Sequence, residues 1–176
     1  MHRIRTAALA AAMASAAVAQ TTVFSDDFDS SIPAAIQPGT AQLDGVQGYA
    51  GLGPPRSMFG GSFLRSAGSN IVTLTLTSLP PHQTISLDLL FAAIDSLDGS
   101  AAGDYFRVEL DGVTFVRESF ANAVPSQVQS FIPPPGGELA RRVDLGFSGP
   151  GSFYTDSAYD FGVDAVFAVL PHTAPT

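Results

Sequence analysis

TISLDLLFAAIDSLDGSAAGDYFRVELDGVTFVRESF, residues 84–120, decides the fold. At its start Ile85, Leu87, Leu89 and Phe91 alternate with Ser86 and Asp88, the period-2 pattern of a half-buried strand. At its end Phe106, Val108 and Leu110 alternate with Tyr105, Arg107 and Glu109. Asp111-Gly112 then supplies the two positive-φ positions of a two-residue hairpin turn. A regular ladder from that turn places Leu110 opposite Val113, Glu109 opposite Thr114 and Val108 opposite Phe115. Phe106 then meets Arg117, and Tyr105 meets Glu118. Between the two strand patterns lies an acidic loop carrying Asp95, Asp98 and Asp104.

Outward from this centre the chain keeps the same character. No long stretch after the N-terminus has a 3.6-residue apolar period, and short alternating runs recur between Gly, Pro and Ser clusters. TTVFSDDF reads as a first strand. Residues 31–61, rich in Gly and Pro, read as a long surface excursion. A short strand follows at Ser62–Arg65. IVTLTLTSL places Val72, Leu74 and Leu76 inward, SQVQSFI reads as a further strand, and ARRVDLGFS offers Val143, Leu145 and Phe147 on one face. FGVDAVFAVL, residues 161–170, is apolar on both faces except at Asp164 and reads as a central or loop-covered strand. The expectation is all-β: about eight to ten strands in a two-sheet antiparallel β-sandwich, jelly-roll-like, with a closed barrel as the alternative.

The first nineteen residues, with Arg3 and Arg5 before an alanine-rich run ending Ala17-Val18-Ala19, have the form of a signal peptide. Residues 20–176 then form a single β-sandwich domain, secreted or displayed at the cell surface. Losing Arg3 and Arg5 takes the formal charge from −8 to −10, a balance unsuited to nucleic acid. No later stretch approaches the roughly 20 apolar residues of a membrane helix. Cysteine and lysine are both missing from the sequence, which excludes disulfides, thiol catalysis, Schiff-base chemistry and a phosphate-loop lysine.

The loop of Asp95, Asp98 and Asp104 offers three carboxylates, Ser96 and Ser100 hydroxyls and flexible Gly99 and Gly103. Hard oxygen donors crowded in this way suit calcium, the alternative being a solvated acidic turn. A second acidic group, Asp26, Asp27 and Asp29, meets Asp164 if the first and last strands are neighbours. Calcium-stabilised jelly-roll carbohydrate-binding modules are built on that plan, a likeness of fold alone. Tyr154 and Tyr159 are the candidate stacking platforms for a sugar, the alternative being ordinary sandwich tyrosines.

Hydrolase motifs are missing. GxSxG does not occur, and Glu109 and Asp111 are followed by Val113 where a sandwich glucanase carries its second acid. His82 and His172 each follow proline and read as turn residues.

FAAIDSLDG, GDYFRVELDGVTFVRESFAN, DSAYDFG and LPHTA together resemble a group of exported bacterial β-sandwich proteins. Its members share an IDSWDG-like loop, a D-[FYW]-x-V strand and an IPHTA-like turn, some with a PEP-CTERM-type sorting tail. The resemblance covers residues 71–176; Leu97 stands where Trp is usual. It implies export and a sandwich but no activity. It also implies that further strands follow the LPHTA turn, so the domain is expected to lack its last strand or strands. The alternative is a strand 161–170 central on other neighbours, with PHTAPT a frayed tail. The function expected is a non-catalytic binding or surface module, calcium-stabilised and directed at an extracellular glycan or surface polymer. A structural envelope or matrix component and a glycoside hydrolase are the alternatives.

Overall fold

The computed structural model describes residues 20–147, 149 and 154–173. The expected signal peptide and residues 174–176 lie outside the described residues. The fold is all-β and sandwich-like, built from antiparallel pairs with no closed barrel among the described residues. Its centre is a three-stranded sheet in the order β6-β10-β9, formed by Leu90–Ala93, Asp156–Asp160 and Glu138–Val143. Around it lie the pairs β1-β4 (Ile36–Gln37, Thr73–Leu74), β2-β3 (Gln42–Gly45, Ser62–Arg65), β5-β11 (Thr84–Ile85, Leu170–Pro171) and the hairpin β7-β8 (Tyr105–Leu110, Val113–Ser119).

The central sheet divides the core in two. Leu87, Leu89, Phe91 and Ala93 pack with Phe120, Phe131, Tyr159, Phe161 and Phe167 on one side. Leu90, Ala92 and Ile94 turn the other way, toward Val46, Tyr49, Phe59, Phe63 and Ala158. Of the segment expected as one half-buried strand, Leu90 and Phe91 enter this sheet, where β6 is covered on both faces, while Thr84–Ile85 belongs to β5 and Asp88 stays exposed. Each fully buried phenylalanine contributes on the order of 1.5–3 kcal/mol, and the rings also pair in specific geometries. Phe161 stacks on Phe91 at 5.3 Å and on Phe167 at 5.0 Å.

The central strand is β10, DSAYD, all five residues buried. Its polar groups are all committed: Ser157 Oγ donates to Asn122 Oδ1 and accepts the Arg142 N–H. Asp160 accepts the Gly162 N–H. FGVDAVFAVL, expected as a strand, is instead a 3-10 turn (Phe161–Val163) and a short helix, α1 (Ala165–Ala168). Two aspartates four residues apart cause this, because Asp160 and Asp164 each cap the N–H two residues on. Phe161 and Phe167 turn inward, leaving Val163, Val166 and Val169 exposed.

Other boundaries move for local reasons. TTVFSDDF forms no strand; Asp26 and Asp27 close Asx turns on Phe28 and Asp29. The Gly- and Pro-rich excursion carries β1, β2 and a 3-10 turn that places Tyr49 fully inside, its hydroxyl donating to the Ala93 carbonyl at 3.1 Å. Burial pushes that hydroxyl far above the ordinary phenol range, with Asp156 adding to the effect. IVTLTLTSL contributes only β4, with Val72 and Leu74 exposed. SQVQSFI stays irregular although Phe131 is buried. In ARRVDLGFS, Val143 is exposed, whereas Leu145 and Phe147 pack on the second cluster.

The hairpin turn forms as its sequence dictates, with φ of 50° at Asp111 and 77° at Gly112. Leu110 faces Val113 and Glu109 faces Thr114, but the register then shifts. Phe115 is the extra residue of a bulge, so Val108 meets Val116, Arg107 meets Arg117 and Phe106 meets Glu118. The bulge carries Phe115 to an edge-on contact with Phe167 at 5.6 Å. Arg117, expected beside the apolar face, stands instead on the outer face, its guanidinium 3.5 Å from the Tyr105 ring centroid.

Candidate functional site

The acidic loop is shaped by backbone bonds. Asp98 donates its N–H to Asp104 Oδ2 at 2.7 Å, and Asp98 Oδ1 accepts Gln127 Nε2 at 2.7 Å. Gly99 and Gly103 supply positive φ values of 85° each. Asp95, itself at φ 62°, donates its N–H to Asp156, and its Oδ1 is buried without a hydrogen-bond partner. The structure thus joins Asp98 to Asp104 and ties Asp95 to the central strand. Among the described residues no group of three or more His, Cys, Asp or Glu side chains is arranged to hold a metal ion.

The other acidic group is also spent locally. Asp29 accepts the N–H groups of Gly61 at 2.6 Å and Ser62 at 2.8 Å, and Asp164 caps α1.

Tyr159 is at 0% exposure, edge-on to Phe131 and tilted against Phe120, with its hydroxyl near Gln129. A ring so enclosed has no face for a sugar, which corrects the expected stacking role. Tyr154 is half-buried at the margin of β10.

A groove of about 290 Å³ opens beside β8. Phe115, Ile132 and Val166 give it apolar surface, and Arg117, Glu118 and Asp164 give it charge. Its position follows from two features that the alternation pattern does not carry. The bulge brings Phe115 onto this side, and the capped helix brings Asp164 and Val166. Ile132 is 85% exposed here. Both carboxylates are engaged: Ser130 Oγ donates to Glu118 Oε2 at 2.5 Å, and Asp164 Oδ1 accepts the Val166 N–H at 3.0 Å. The sequence signal for the groove was the D-x-x-x-D capping spacing at 160 and 164.

Fold and groove together define an all-β antiparallel sandwich-like domain with a small amphipathic cleft at one strand edge. Comparison with protein-family models, curated proteins and solved structures returns no match. No helix among the described residues is long and apolar enough to cross a membrane.

Proposed function

We propose that this chain is an exported, non-catalytic binding module whose ligand site is the groove beside β8, taking a segment of an extracellular glycan or surface polymer. The observation that carries the reading is the groove's lining: exposed apolar side chains next to a guanidinium and two carboxylates already held by structural bonds. Small-ligand sites combine apolar walls with a few oriented polar groups, and about 290 Å³ falls just below their usual size range of roughly 300–1,000 Å³. The signal-like N-terminus and the likeness to exported sandwich proteins support export. Calcium at the Asp98–Asp104 turn belongs to the same proposal, as a stiffener of the loop. The test is a glycan array with the parent protein, Arg117→Ala and Ile132→Ser, each with calcium and with chelator. Binding lost in both variants supports the groove. Self-assembly without glycan affinity favours a structural component instead.

A hydrolase is the second reading, because Glu118 and Asp164 line one groove and paired carboxylates are the machinery of glycoside cleavage. Sugar release by the parent protein, abolished in Glu118→Gln, would replace the binding reading.

A further inference from the structure

The two proline–histidine turns, LPPHQ at 79–83 and LPH at 170–172, lie side by side because β5 pairs with β11 and His172 donates its N–H to the Gln83 carbonyl. Their imidazoles lie nearly coplanar and edge to edge, with centroids 4.8 Å apart and 9° between the planes. His82 Nε2 lies 2.5 Å from His172 Nδ1. The remaining nitrogen of each ring faces an acceptor. His82 Nδ1 is 2.6 Å from the Pro80 carbonyl, and His172 Nε2 is 3.0 Å from Asp111 Oδ2.

A carbonyl and an ionised carboxylate only accept hydrogen bonds. Each ring therefore gives its one N–H outward, and the tautomers are fixed. The two inner nitrogens then meet lone pair to lone pair, an approach that a cation between them must relieve.

We propose that this gap is a binding site for a divalent transition-metal ion, with His82 Nε2 and His172 Nδ1 as the protein ligands. Imidazole nitrogen suits zinc, copper and nickel and not calcium. A ligand histidine that gives its other N–H to a carboxylate or a backbone carbonyl is the outer-shell arrangement these ions use. Asp111 and the Pro80 carbonyl fill that role. The His172 side chain is 4% exposed and sheltered, whereas His82 is partly exposed and leaves room for water to complete the coordination. Zinc–nitrogen bonds of about 2.0–2.1 Å at a tetrahedral angle hold their nitrogens about 3.3 Å apart. The rings must therefore separate by roughly 0.8 Å and tilt out of their end-to-end alignment, a movement that falls to the turn carrying the partly exposed His82. Entry of the metal involves no redox step. The site is independent of the groove, so either proposal can fail alone.

The experiment is zinc titration by calorimetry of the full chain carrying His2→Ala, which leaves His82 and His172 as its only histidines. Expected are saturable 1:1 binding and no competition by calcium. His82→Ala, in a surface turn, should abolish binding. Asp111→Asn, on the exposed hairpin turn, should weaken it about 10–100-fold by freeing the His172 tautomer. No saturable zinc binding, or an affinity unchanged in both variants, overturns the proposal and leaves the pair as a structural contact between the two turns.

Discussion

Asp156 Oδ1 accepts the backbone N–H of Asp95 at 2.9 Å, while its Oδ2 accepts that of Leu145 at 3.0 Å. One carboxylate on the buried central strand thus holds the head of the acidic loop and the segment after β9. Asp156→Asn keeps the shape but turns one acceptor into a donor facing an N–H. Leaving a buried amide unsatisfied costs about 1–3 kcal/mol. The variant should lose that much in urea unfolding, and amide exchange should quicken at Asp95 and Leu145. Unchanged stability would mean that water replaces the lost bond.

Asp160 gives a pH test. Burial raises its carboxyl above the ordinary carboxylate value and the nearby Asp88 adds repulsion, while the Gly162 N–H acts in the opposite direction. Between the unfolded and folded values the folded state binds more protons, so stability falls as pH rises through that window. Above it the ionised Asp160 costs stability. Asp160→Asn removes the charge and keeps an oxygen for Gly162. It should melt slightly higher than the parent at pH 7, with the advantage fading as pH falls through that window and gone below about 3.9, the unfolded aspartate value. A variant less stable at pH 7 would show that the charge-assisted bond outweighs the desolvation.

Alternation and turn chemistry made the hairpin, the Ser62–Arg65 strand and the all-β class readable from the sequence. Both depend on near neighbours: a positive-φ Asp-Gly pair or a period of two is a local property. What escaped was decided at long range. DSAYD looks too polar for a central strand, and it is buried only because Asn122, Arg142, Leu145 and Asp95 bring partners for its side chains. FGVDAVFAVL has strand composition but is capped twice. The acidic loop was visible as a cluster of acids, yet where each carboxylate goes depends on Asp156 and Gln127, 61 and 29 residues from their partners. Of the groove, Arg117 was misplaced by one register step, and Asp164 was assigned to a strand.

That register step is directly measurable, because the chain has no cysteine of its own. The bulge at Phe115 sets Arg107 opposite Arg117 on the outer face, whereas an unbroken ladder sets Phe106 there. Directly opposed residues of an antiparallel pair have Cα atoms about 4.5–5.5 Å apart, within the span of a disulfide. Residues one step out of register point to opposite faces and cannot be bridged without moving backbone. The double variant Arg107→Cys with Arg117→Cys should therefore oxidise readily, seen as a mass loss of two hydrogens. Phe106→Cys with Arg117→Cys should stay reduced under the same conditions. The first pair also removes two like charges placed opposite each other, an arrangement that disfavours the hairpin, so its oxidised form should melt above the parent. The reverse outcome, with only the Phe106 pair closing, would show that β7 and β8 run without the bulge. Phe115 would then lose its route to the groove, and the binding site proposed beside β8 would fall with it.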